Sequence, residues 1–333
     1  MRKIKLFSGV RVIAGAVIIS FALTGCSAAG RQIYFSSGTG VSSVFRIGKF
    51  KCPPSEAKVY LLNYRNIYGR SNETDLFNAD ISTEGLDKSI RNAALEHLSE
   101  VYALKLYAED HKIVLDSQEN DRVAEAARRY YGSLNDAEKK YIGADEDDIK
   151  DMYENLAVAM KVYYKLIGNV SDKVSEDEAR VADCEMIVTK KKENAEKAYE
   201  SAKNGVALSE LSQYSERPSI TVYVKRGELP SNVEKTVFSM EDGETSGLIK
   251  GKDGKYYIIR CLSKYDKKLS ESNKKGIVKK RQKKQIKKII SSLDKKYYSE
   301  LNTEKWYGIK MPDSGKLKTD SFFTVLNDYI SYQ

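Results

Sequence analysis

Histidine is nearly absent from this chain: there are two in 333 residues, His97 and His111, and none beyond position 111. The C-terminal two-thirds must therefore do any chemistry without imidazole, the side chain whose ordinary pKa lies nearest neutrality. The four cysteines (Cys26, Cys52, Cys184, Cys261) are far apart, with no C-x-x-C and no neighbouring histidine. That spacing argues against a zinc site. No glycine-rich phosphate loop and no nucleophile elbow occurs, so neither an NTPase nor an α/β hydrolase has support. A βαβ series is also missing, which counts against the two parallel-sheet lobes of a transporter's solute receptor. No metal and no organic cofactor is implied.

What is present begins at the N-terminus. Arg2, Lys3, Lys5 and Arg11 precede an uncharged apolar run from Val12 to Leu23. A membrane-spanning helix needs about 20 residues, so the run suits a signal peptide better. It ends in Leu23-Thr24-Gly25-Cys26, which resembles the bacterial lipobox. The resemblance implies removal of residues 1–25 and a diacylglycerol on Cys26, holding the chain on the outer face of the cytoplasmic membrane. Two acyl chains give stable anchoring where one is marginal. Four of the 56 Lys/Arg and none of the 47 Asp/Glu lie in residues 1–25, leaving a mildly basic +5 for the remainder. That charge is no nucleic-acid footprint, and no aromatic stacking pattern accompanies the lysines.

Residues 27–43 are rich in Gly and Ser and read as a tether of roughly 20–25 Å root-mean-square span. With a short strand at 44–48 they make up a segment, 26–54, that leads into the fold. From 55 to 174 the pattern is helical. Leu86, Ile90, Ala94, Leu98, Val101, Leu104 and Ala108 form one stripe, and Ile149, Met152, Leu156, Met160, Tyr163 and Ile167 another. Asp116-x-x-Glu119 and Asp145 mark helix starts.

At Ser175 the texture changes. Residues 181–188 alternate, with Asp183 and Glu185 on one side and Ala182, Cys184, Met186 and Val188 on the other. Helices at 190–204 and 207–214, an extended 220–224, a helix at 229–240, a strand at 245–250, the turn signal Asp253-Gly254 and a strand at 255–262 follow. This order makes a small antiparallel domain over 175–266. Residues 267–333 are expected to be helical through Leu301 and to return to the first lobe. The fold class is therefore α+β: an all-helical lobe drawn from both ends of the chain, with an antiparallel-sheet domain inserted.

Six segments carry a resemblance: Cys184–Val188, Asn194–Ala198, Leu208–Ser215, Arg226–Pro230, Phe238–Glu244 and Tyr256–Ile259. In order and spacing they resemble the parvulin family of peptidyl-prolyl isomerases, as inserted in extracytoplasmic foldases of the PrsA/SurA type. The resemblance implies a chaperone of unfolded exported polypeptides, able to dimerise, and catalysis of rotation about Xaa-Pro bonds. It also implies a proline pocket at Leu229, Val233 and Phe238. The family's polar cluster has a histidine in the first strand, a Cys or Asp after the Tyr-Ser motif, and a histidine in the last strand. Here those positions hold Glu185, Arg217 and Tyr257. Two readings stay open: drift in a retired site, or a substitute cluster with weak activity.

If Glu185 and Tyr257 face one pocket, strand parity puts Cys261 on that side and Cys184 on the other, and no disulfide joins them. Nine Lys/Arg and no acid lie between Ser272 and Leu293. The stretch Lys274–Lys288 is a solvated helix face or an attraction for anionic lipid or wall polymer. Tyr60, Tyr64, Tyr102, Tyr107, Tyr163 and Tyr164 sit on apolar stripes, either as core or as part of a cleft for unfolded chains.

Overall fold

Capping residues and sheet alternation set the elements of the computed structural model, which describes residues 34–36, 42–68, 70–71, 74–75, 83–312 and 315–332. The N-terminal apolar run, Cys26 and residues 27–33 and 37–41 of the expected tether lie outside the described residues, while Tyr34–Ser36 within that tether form a strand paired with Glu300–Asn302. None of the described helices is long and apolar enough to cross a membrane. The chain divides into two compact units: residues up to Asn169 together with those from Gln285, and Val170–Lys284.

The first unit starts with β1 (Tyr34–Ser36), β2 (Phe45–Ile47) and β3 (Phe50–Cys52), followed by α1 (Pro54–Tyr68) and a minor β4–β5 hairpin (Arg70–Ser71, Thr74–Asp75). The helices α2 (Thr83–Asp110), α3 (Ser117–Ser133), α4 (Asp136–Ile142) and α5 (Glu146–Gly168) follow. Gly48, at φ +57°, makes the tight β2–β3 turn, and a Cβ there would lie 3.1 Å from Leu106. Asp116 and Glu119 exchange both capping-box bonds, at 2.8 and 2.7 Å. Asp145 and Asp148 do the same for α5. Asn135 and Glu138 start α4 in the same way, at 3.0 and 2.9 Å. That helix escapes the apolar-stripe reading because it is only two turns long, although Asn135-x-x-Glu138 carries the capping signal. Each such cap contributes about 1 kcal/mol.

The second unit contains α6 (Glu176–Ala179), β6 (Val181–Thr189), α7 (Lys192–Lys203), a 3₁₀ helix (Leu208–Tyr214), β7 (Thr221–Lys225), α8 (Ser231–Ser239), β8 (Ile249–Lys250) and β9 (Tyr256–Ser263). The sheet is antiparallel in the order β7-β6-β9-β8. One face packs Cys184, Met186, Val188, Tyr257, Ile259 and Cys261 against Val233, Val237 and Phe238 of α8 and the adjoining Met240. The other packs Ile187 and Ile258 against Ala198, Leu208 and Leu211. The expected strand at 245–250 shrinks to two residues plus a lone bridge between Thr245 and Arg260.

Helix α9 (Lys267–Lys296) leads on to β10 (Ser299–Asn302), α10 (Thr303–Gly308) and α11 (Phe322–Tyr329). Here the sequence reading is corrected twice. The helix does not continue to Leu301: Ser299–Leu301 pair antiparallel with β2, completing a sheet of order β1-β10-β2-β3. The first lobe is therefore not all-helical. Local helical spacing at Leu293, Tyr297 and Leu301 yields to ladder pairing, as tertiary context overrides propensity.

The C-terminal segment docks through buried polar groups as well as apolar ones. Asn63 Oδ1 accepts from Phe322 N (3.0 Å), and Tyr153 Oη donates to Phe322 O (2.7 Å). Glu138 Oε1 accepts from Lys318 N and Thr319 N, both at 2.8 Å. Trp306 and Phe322 are fully buried.

Candidate functional site

The antiparallel domain brings some of the expected site residues together and separates others. Tyr257 pairs with Val188 across β6 and β9, whereas Glu185 pairs with Arg260. The two ladder positions on β6 are three residues apart, an odd step, and facing alternates along a strand, so Glu185 and Tyr257 are on opposite faces of the sheet. The Glu185/Arg217/Tyr257 cluster is thus not assembled: Glu185 shares its face with Ile187. The parity argument for the cysteines falls with its premise. Cys184 and Cys261 are ladder partners on the Tyr257 face, and both are free, buried thiols.

Tyr257 is 4% exposed and committed elsewhere. Its hydroxyl donates to Asp253 Oδ2 at 2.7 Å. Burial pushes the phenol's pKa up, the Asp253 bond and charge push it further, and the Arg217 charge opposes them. Asp253 is in turn held below the ordinary carboxylate value, first by the Tyr257 bond. The ring lies against the β8–β9 turn, where a Cβ on Gly251 would come within 2.7 Å of it. Only glycine admits so close an approach. The Tyr257 hydroxyl therefore closes the β8–β9 turn.

Arg217 is near enough for its charge to act on Tyr257, and its side chain is exposed. Its loop is built as a clamp on β6. Ser215 Oγ accepts from Val188 N (3.3 Å) and Arg217 N (3.2 Å). Glu216 Oε1 accepts from Lys190 N (2.8 Å) and Thr189 Oγ1 (3.2 Å). Those bonds, the backbone one first, lower the Glu216 pKa.

Of the expected proline pocket, Leu229 and Phe238 line an open groove of about 560 Å³ with Arg226, Gly227, Ser231, Glu234, Lys235 and Ser239. Val233 is fully buried behind them and belongs to the core. The Arg226 guanidinium lies 4.0 Å from the centroid of the Phe238 ring, and that of Arg180 lies 5.4 Å away. Arg226 is fixed by Asp177 at 2.5 Å and by Glu234 at 3.9 Å. A cation thus lies over the Phe238 ring, an arrangement favourable in itself by about 0.5–2 kcal/mol. The sequence marks Asp253 only as a turn former and gives no site role to Arg226 or Gly251. Arg226 sits inside a matching segment, but nothing local signals that it folds back over a residue twelve positions on.

In the first unit, Tyr60, Tyr64 and Tyr102 are core residues, while Tyr107, Tyr163 and Tyr164 are half-buried. Tyr68, Tyr298 and Tyr307 are exposed.

Residues 144–271 match the family model described as the PPIC-type PPIASE domain. No curated protein matches the chain. Among solved structures, the Bacillus cereus peptidylprolyl isomerase PrsA is similar at 20% identity and TM-score 0.39, over 73% of this chain and 93% of that one. The Bacillus anthracis PrsA is similar at 20% identity and TM-score 0.38, over 65% and 100%. The foldase PrsA of Streptococcus pneumoniae is similar at 18% identity and TM-score 0.33, over 76% and 97%. With the α+β architecture and the matching stretch together, this chain carries a parvulin domain of the PPIC type.

Proposed function

We propose that this protein is an extracytoplasmic chaperone and foldase, anchored by lipid on Cys26, whose parvulin domain has weak or no isomerase activity. The observation that carries the second half is the covered aromatic: Arg226 lies over Phe238, in the groove where a proline ring should sit. Rotation about an Xaa-Pro bond faces a barrier of about 18–20 kcal/mol. Lowering it takes an apolar seat for the ring and polar groups that favour the twisted amide. Here the seat is roofed by charge, Tyr257 is engaged by Asp253, and Glu185 lies on the other face of the sheet.

Residues 55–174 and 267–333 form the lobe that shelters unfolded exported polypeptides, and the parvulin unit serves as a peptide-binding or spacing module. The lipobox-like tetrad and its apolar run support the anchor. Held near the membrane, the basic stretch Lys274–Lys288 meets anionic lipid or wall polymer.

Refolding an aggregation-prone protein with a slow, proline-limited phase separates the two halves of the proposal. The full chain is expected to raise the refolded yield and leave the slow phase at its uncatalysed tens to hundreds of seconds. A faster slow phase with no gain in yield would overturn the reading.

A further inference from the structure

Cys184 and Cys261 face each other across the two central strands of the parvulin sheet, in a register that runs unbroken from Cys184–Cys261 to Thr189–Tyr256. The main-chain bonds of Cys261 point away from β6: its N–H donates to Glu244 O (2.9 Å) and its carbonyl accepts from Gly243 N (2.7 Å). Met186, two residues from Cys184, likewise turns away from β9 and donates to Ile220 O at 2.7 Å. The cysteines therefore form a non-hydrogen-bonded pair. In such pairs the Cα atoms approach to about 4.5 Å and the side chains are closest. Disulfides span Cα separations of about 4.4–6.8 Å, a range that includes the spacing of such pairs.

We propose that Cys184 and Cys261 are a redox site, which closes into a cross-strand disulfide by exchange with a small disulfide such as oxidised glutathione. One thiolate sulfur attacks the glutathione disulfide, forming a protein–glutathione mixed disulfide and releasing one glutathione. The second protein thiolate then attacks the protein sulfur and displaces the other glutathione. Two protein thiols are oxidised, one disulfide is reduced to two thiols, and the two protons pass from the cysteines to the departing sulfurs.

Both side chains are fully buried in the folded sheet. Burial first, and for Cys261 also the charge of Asp242, raises the two thiol pKa values, that of Cys184 to about 12. The folded dithiol is thus slow to react, and closure belongs to the stage at which β6 and β9 come together. Once formed, the bond ties together the strands that carry Tyr257 and the face packed on α8.

The test refolds the full chain from denaturant in a mixture of reduced and oxidised glutathione. The product is alkylated under denaturing conditions without reductant, and its peptides are mapped by mass. The peptides containing Cys184 and Cys261 are expected to be joined, short of the mass of two hydrogen atoms, and to separate only with reductant. Cys52, buried in the other unit, is expected to be alkylated. In Cys184→Ser, Cys261 is expected to become available to the reagent. Alkylation of both cysteines to the extent seen at Cys52, a persistent mixed disulfide with glutathione, or pairing with Cys52 would each overturn the proposal. A chain that fails to refold is instead oxidised in sub-denaturing urea and read in the same way.

Discussion

The two units of this chain bury polar groups in different ways. In the first, Glu56, Asn63, Arg65, Asn66, His97 and Glu138 are all buried. In the parvulin unit the only buried polar residues among those described are the hydroxyls of Thr189, Ser246 and Ser270, and its ion pairs, such as Arg281–Glu178, lie at the surface. Buried amides and charges are costly unless paired, so they accept few alternative arrangements. The first unit uses them to fix a C-terminal segment whose own sequence does not say where it goes. The second relies mainly on apolar alternation, with the buried hydroxyls of Ser246 and Ser270 accepting strand amides, which specifies a sheet but leaves its surface groups free to diverge. Substitutions at the polar surface of such a domain would leave its core untouched.

Trp306 is the only tryptophan and is fully buried in the first unit, so its fluorescence reports that unit alone. Phe322→Ala removes a fully buried ring that stacks on Tyr153 at 4.5 Å between centroids. It is expected to cost about 3–5 kcal/mol in urea unfolding followed by Trp306.

Next in size is pH. Burial first raises Glu56 from its ordinary value to about 7, although Tyr102 donates to it at 2.5 Å. Burial lowers His97 to about 4. Because the folded value of Glu56 lies above the unfolded one, its favourable contribution is complete below pH 4.5 and is lost as pH rises through about 7. His97 behaves oppositely: its contribution is complete above pH 6.5 and is lost as pH falls through about 4. Each limb is on the order of 3 kcal/mol at most. Glu56→Gln is expected to flatten the alkaline limb and His97→Gln the acid limb. Unchanged limbs in both variants would remove the claim that these two groups set the pH response of the lobe.

Glu138→Ala deletes an acceptor of two tail amides and one side of the α4 capping box. A loss of about 2–3 kcal/mol is expected by the same Trp306 signal, since hydrogen bonds to charged groups are among the stronger ones. Smallest of all is Glu178→Ala in the parvulin unit, where the Arg281 pair is roughly one-third exposed on both sides. Hydrogen exchange at β6 and β9 is expected to change by no more than about 1 kcal/mol. A larger effect would mean that the second unit also depends on ion pairs.

The same contrast explains how far the sequence could be read. Alternation from Val181 to Val188, the Asp253-Gly254 turn and the Asp116 and Asp145 caps are local signals, and the corresponding elements form where those signals lie. β10 was read as helix because its partner, β2, is some 250 residues away in the chain and no local pattern announces the pairing. The seam of Asn63, Asn66 and Glu138 was illegible for the same reason. At the site, Leu229 and Phe238 fall in the groove, but the facing of Glu185 relative to Tyr257 depends on a register between strands about 70 residues apart. One-residue differences in register reverse every facing. Arg226 over Phe238 is a tertiary contact with no signature of its own.

The weak or absent isomerase activity proposed for this parvulin domain is tested by the cis-to-trans rate of a short Xaa-Pro peptide in the presence of excess full-length protein. A rate at or barely above the uncatalysed one is expected, in the wild type and in Tyr257→Phe alike. A saturable acceleration that Tyr257→Phe or Arg217→Ala abolishes would contradict it.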